Sequence, residues 1–231
     1  LDTSKIEEFE EYVSKEITPA TVDIDRLEDR NRKHIQKLVY TNLVDRFDSM
    51  VDGSLLVNCS NSYLVEEATK GMSQPITEAE LVKILVQSDN LQDALEERLK
   101  ASLRNSVLRE RHSRKLAALF RTFDAFSTDG DFFSVPKVNI STGDVAEKFK
   151  PQDKTVPHSL CGYADWLYSR RNSIVHGAGT NRFLENDRKQ IKKLYKSDLK
   201  QTFRIKLSAI TVASKYYLAV ARILKEAAAV A

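Results

Sequence analysis

From residue 158 to residue 231 the chain has no proline, and its apolar residues return in steps of three and four. A segment with that rhythm folds as helix, because a strand would need alternation with a period of two. Phe203, Leu207, Ile210, Ser214, Tyr217, Ala221 and Leu224 show it most clearly. Their spacing predicts a helix over about 201–226 with a packing seam for a bundle or a dimer. A second helix is expected over 159–175, ended by Gly177 and Gly179, and a basic amphipathic segment over 183–195.

The first half reads the same way. An acidic helix over 1–17 is expected to stop near Pro19. A long helix over 23–51 carries Ile35, Val39, Leu43, Phe47 and Met50, widened by Leu38 and Val44, and Gly53 is expected to end it. Residues 55–65 read as a loop or a short extended piece. Thr77-Glu78-Ala79-Glu80 is a capping box, with Ile76 and Leu81 as a hydrophobic staple, and predicts a helix to about Gln87. Ser88, Asp89 and Asn90 offer caps for the next helix, whose face is Leu91, Leu95, Leu99 and Leu103. It continues, or breaks near Asn105, into a stripe of Leu116, Leu119, Phe120, Phe123 and Phe126. Residues 127–157 interrupt the pattern with Gly130, Pro136, Gly143, Pro151 and Pro157, and 132–140 form a strand pair or an ordered loop.

The expected fold is therefore an all-α bundle forming one domain over 1–231. It comprises N-terminal helices over 1–130, a connection over 127–157, and the remaining helices over 158–231. At 42% hydrophobic and 30% charged, the chain is globular rather than disordered. Cys59 and Cys161 have no metal-type spacing, so no disulfide framework and a reducing compartment are expected. No apolar run is read as a membrane span, and 1–17 has no signal-peptide apolar core, so the expected location is cytoplasmic.

Charge is unevenly spread. Residues 1–30 hold ten acids and four bases, whereas 187–226 hold eleven bases and three acids. Basic helical stripes can follow a phosphate backbone or simply face solvent.

Of the four histidines, His34 and His112 sit in charged helical patterns and read as surface or packing residues, and His158 lies in the connection. His176 differs, because it closes a helix just before Gly177. Asn172 lies four residues earlier, where its amide is expected to bond the ring and fix its tautomer. Arg171 can share a bound phosphate with the imidazole, and Arg170 is a second cation. These parts suffice to cleave RNA without metal. A 2′-OH attacks the adjacent phosphorus, imidazole moves the proton, and Arg171 neutralises the growing charge. Asp45, Asp48 and Asp52 lack a histidine partner with ligand spacing and read as a charged helix face, so neither metal nor cofactor is expected.

The string Arg171-Asn172-Ser173-Ile174-Val175-His176-Gly177 closely resembles the motif of HEPN-domain ribonucleases: Arg, four to six residues, His, often with a polar residue after the Arg. Tyr163, Leu167 and Tyr168 before it, and the long helix after it, also look like that family. The resemblance is sharp over 160–179 and rests on helical pattern elsewhere. It implies a HEPN-like up-and-down bundle that dimerises, with two motifs facing a shared cleft. It further implies an endoribonuclease of toxin–antitoxin, abortive-infection or antiviral defence systems, with a cognate antitoxin as a partner. His176 would be base or acid, Arg171 would bind the scissile phosphate, and Asn172 would orient His176. Arg170, Lys189, Lys192 and Lys193 would guide RNA. The resemblance also covers a non-catalytic interaction module that partners a nucleotidyltransferase.

Overall fold

Pro19 does not end the first helix. In the computed structural model, which describes residues 1–70, 72, 77–87, 90–125, 132–146 and 154–230, α1 (Ser4–Tyr12) runs through a π-helical turn (Val13–Ile17) into α2 (Thr18–Ile24). The Thr18 N–H reaches back to the Val13 carbonyl, and the Thr18 hydroxyl donates to the same oxygen at 3.0 Å. The wider turn admits the proline ring. Pro19 then lies in the first turn of α2, where its missing N–H is no loss.

Gly53 does not end the next helix either, for α3 spans Asp29–Val57. A Cβ at Gly53 would stand 3.1 Å from Lys5 Cγ, so this glycine serves the close approach of α1 rather than a turn. The actual end is Asn58. Its Nδ2 donates to the Ser54 carbonyl (3.0 Å) and the Asp2 carbonyl (2.9 Å), tying the chain's start to α3. Tyr40, Leu43, Val44, Phe47, Met50, Val51 and Leu55 form the buried stripe. Leu38, expected in it, is exposed, and Gln36 is buried instead.

The stretch read as loop or extended piece is helical at both ends, where it holds the last turn of α3 and the start of α4 (Ser62–Lys70). Beyond it come α5 (Glu78–Gln87) and α6 (Leu91–Asn105), with the Asn90 side chain capping α6 through the Gln92 N–H at 3.0 Å. The expected face of α6 is buried only at Leu103, since Leu91 and Leu95 are exposed. The chain breaks after Asn105, passes a 3-10 turn (Val107–Arg109), and enters α7 (His112–Thr122). Leu116, Leu119, Phe120 and Phe123 are buried as expected. Ile76, Ser88, Asp89, Phe126, Gly130, Pro151 and the Glu80 side chain lie outside the described residues.

The connection holds an ordered hairpin, β1 (Lys137–Val138) against β2 (Val145–Ala146), antiparallel with Lys137 opposite Ala146. Three helices follow: α8 (Leu160–His176), α9 (Glu185–Tyr195) and α10 (Leu207–Val230). Ser159 caps α8 by accepting from the Gly162 N–H at 3.2 Å, the boundary expected from the sequence. α10 begins later than expected because the preceding segment pairs with 181–183. The Phe183 N–H donates to Gln201 and the Phe203 N–H to Asn181.

The fold is all-α, with 71% of the described residues helical. α1, α7, α8 and α10 pack around α3, and one buried cluster runs from Ile6 to Leu224. By length and composition alone α10 could cross a membrane, contrary to expectation, with a mean hydropathy of 1.3 over its most apolar window. Its seam residues Ile210, Ser214, Tyr217, Ala221 and Leu224 are buried, and the helix packs on α1, α2 and α3. Of bundle and dimer, this seam serves the bundle.

Candidate active site at the end of helix α8

The last turn of α8 is built as a rigid stop. Gly177 and Gly179 donate their N–H groups to the Ser173 and Ile174 carbonyls at 3.0 and 2.9 Å. Ala178 and Gly179 take positive φ of 54° and 73°. The Lys37 ammonium of α3 donates to the Gly179 carbonyl, and the buried Ser173 hydroxyl accepts from the Leu184 N–H at 3.1 Å. His176 is exposed on this stop, and the described residues make no hydrogen bond to its ring.

Arg171 faces α3. Its Nε lies 2.6 Å from Asp45 Oδ1, in an ion pair that leaves the Nε hydrogen without an acceptor in line. NH1 donates to Asn172 Oδ1 at 3.2 Å, and the guanidinium lies 5.6 Å from the Tyr168 ring centroid. The side chain is 19% exposed.

Asn172 does not orient His176. Its Oδ1 serves Arg171, and its Nδ2 donates to Asp187 of α9 at 3.4 Å. Four-residue spacing brings two side chains to one helical face but does not choose between acceptors, and here the neighbouring helix supplies a carboxylate. Burial pushes the Asp187 carboxyl above its ordinary range, against the pull of that bond.

Arg170 is also not where the sequence put it. It is 4% exposed, with rings of Trp166, Tyr40 and Phe203 at 4.6, 5.0 and 5.4 Å. A residue so enclosed cannot lie on an open RNA track. Lys189, Lys192 and Lys193 are exposed on α9, and their spacing puts them on one face. Lys192 pairs loosely with Asp198 at 3.3 Å.

The largest surprise lies one turn back. The Asp45, Asp48 and Asp52 set is not a solvated face: each carboxylate meets a cation from another helix. His112 Nδ1 lies 2.6 Å from Asp48 Oδ1, and Lys115 Nζ lies 2.8 Å from Asp48 and 2.6 Å from Asp52. Burial raises the Asp48 carboxyl, but His112 and Lys115 outweigh it and hold it at about 2. Burial pushes Asp52 up against the pull of Lys115. The His112 ring stacks on Tyr168 at 4.8 Å and 5°, which joins this cluster to Arg171. The signal available beforehand was the spacing of the three aspartates, which sit beside the buried Val44, Phe47 and Val51.

A cavity of about 290 Å³ borders the cluster, lined by His112, Lys115, Asp165, Asn172 and Asp187 among others. No group of residues able to hold a metal ion occurs among the described residues. Comparison with protein-family models, curated proteins and solved structures returns no match for this chain.

Proposed function

We propose that the chain is an endoribonuclease of HEPN type. The observation that carries this reading is the exposed His176 on a hydrogen-bonded helix stop, within two turns of Arg171, whose side chain is 19% exposed. An imidazole and a guanidinium can complete RNA cleavage without metal. The 2′-oxygen attacks phosphorus, the P–O5′ bond breaks, one proton leaves the 2′-OH and one is delivered to O5′. The products are a 2′,3′-cyclic phosphate and a 5′-OH, and DNA is left intact because it has no 2′-OH. Arg171 neutralises the phosphoryl oxygens. Asn172 acts through Arg171, holding one edge of the guanidinium, rather than through His176. In a homodimer one His176 serves as base and its mate as acid, and Lys189, Lys192 and Lys193 steer RNA. The biological setting proposed is a cytoplasmic toxin or defence effector, with an antitoxin as its partner.

A second reading is a non-catalytic interaction module, such as the partner of a nucleotidyltransferase. It is favoured by α5, which exposes Leu81, Val82, Leu85 and Val86. One experiment separates the two. Purified protein is incubated with RNA in EDTA beside His176→Ala and Arg171→Ala, and product ends are analysed. Cleavage to cyclic phosphate that both variants lose supports the nuclease. Equal inactivity of three folded proteins leaves the module.

A further inference from the structure

Arg170 is a buried cation without a counter-ion among the described residues. Its NH2 donates to the Arg204 carbonyl at 2.6 Å, its Nε–H has no acceptor, and no carboxylate pairs with it among the described residues. Aromatic faces attract a guanidinium but do not neutralise it. A charge taken out of water normally has a partner of opposite sign, because its desolvation is otherwise uncompensated.

The same residue lines a cavity of about 610 Å³, in the range of small-molecule sites. Among the described residues its lining includes no aspartate or glutamate. It does include Lys200, Arg204 and Lys206, all exposed and none in an ion pair among the described residues. Trp166 and Phe203 supply flat apolar walls, and Ser208 brings the first turn of α10, whose N-terminal end favours negative charge. This site is separate from the motif. Arg170 and Asn172 lie about 200° apart around α8, and the two cavities share no lining residue.

We infer that this cavity binds a small organic oxyanion, a phosphate or carboxylate carried on a flat aromatic body. The anion completes Arg170 and is held from the rim by Lys200, Arg204 and Lys206, while the ring lies against Trp166 and Phe203. The inference is independent of the ribonuclease reading.

The test uses the full chain, with calorimetric titration and thermal unfolding against phenyl phosphate, 1-naphthoate, phenol and inorganic phosphate. At least one aromatic anion should bind saturably and raise Tm, about tenfold tighter than phenol or inorganic phosphate. The two anions show whether phosphate or carboxylate is preferred. Arg170→Met keeps the volume and removes the charge. It should abolish binding without lowering the Tm of the ligand-free chain, an outcome that a purely structural arginine would reverse. Lys206→Gln, on the surface, should weaken binding at least threefold, by roughly the loss of one screened ionic contact. Should Arg170→Met fail to fold, Lys206→Gln and Arg204→Gln decide alone. Aromatic anions that bind no better than inorganic phosphate, or binding that survives the rim substitutions, would overturn the inference.

Discussion

The two faces of α8 treat charge in opposite ways. On the face toward α3, α7 and α9, three cations near the motif meet carboxylates: Arg171 meets Asp45, Lys115 meets Asp48 and Asp52, and Arg111 meets Asp165. On the other face, Arg170, Lys200, Arg204 and Lys206 line a cavity whose described lining includes no acid. Charge neutralised within the chain holds the helices together, whereas charge left over is available to something outside it. His176 sits at the end of the helix where neither arrangement reaches it, which suits a group that must meet substrate.

The largest expected effect tests whether the helix end is chemistry or only a cap. His176→Ala should lower RNA cleavage about a hundredfold to ten-thousandfold, the usual contribution of a general acid or base. Because the ring is exposed and unbonded, its removal should leave Tm within a degree or two. A variant that loses stability but keeps cleavage would place His176 on the structural side of the comparison.

Next in size is the neutralised face itself. Lys115→Met leaves Asp48 and Asp52 facing each other without their shared cation. The lysine side chain is only 7% exposed, so the variant should lose about 3 kcal/mol in urea unfolding, the range for breaking a buried pair. An unchanged midpoint would mean that the cluster is no more than a surface pair.

Acid titration sharpens this. The Asp48 carboxyl is held at about 2 in the fold, below its ordinary value of 3.8. A depressed folded pKa gives stability that is fully present above the unfolded value and lost as pH falls through the folded one. The wild type should thus lose roughly 2 kcal/mol between about pH 4 and pH 2 on this account. Asp52 and Asp187 are raised by burial and act in the opposite sense, favouring the fold as they gain protons. The stability gap between wild type and Asp48→Asn should therefore shrink on acidification through that window. A gap that stays constant would remove Asp48 from the cluster's electrostatics.

Much of this was legible in the sequence, and the misses share a cause. α8 was readable because its stop signals are local: Ser159 at one end and Gly177 at the other. Gly53 misled because the reason for that glycine is Lys5, distant in sequence. Pro19 misled because a π turn can absorb a proline when tertiary packing holds both sides, as the buried Val13, Ile17 and Ile24 do here. That Arg171 and His176 share one helix was readable from spacing, but the partners of Arg171 and Asn172 were not, since Asp45 and Asp187 arrive from other helices. Arg170 could have been placed: Tyr163, Trp166 and Arg170 follow helical steps of three and four, which points the arginine at the aromatic side rather than along the motif.

The smallest expected effect bears most directly on the divide between spent and available charge. Asp45 is 39% exposed, and such pairs contribute about 0–1 kcal/mol, so Asp45→Asn should scarcely change the urea midpoint. Its consequence should appear in binding. If Arg171 binds RNA as proposed, Asp45 competes with the phosphate for its guanidinium, and removing that competitor should tighten RNA binding about threefold, more at low salt than at high. Asn172→Ala should act in the opposite direction, because it releases the other edge of the same guanidinium. If neither substitution alters RNA affinity while Lys189→Gln and Lys193→Gln do, Arg171 belongs with the internally neutralised cations, and α9 alone carries the recognition of RNA.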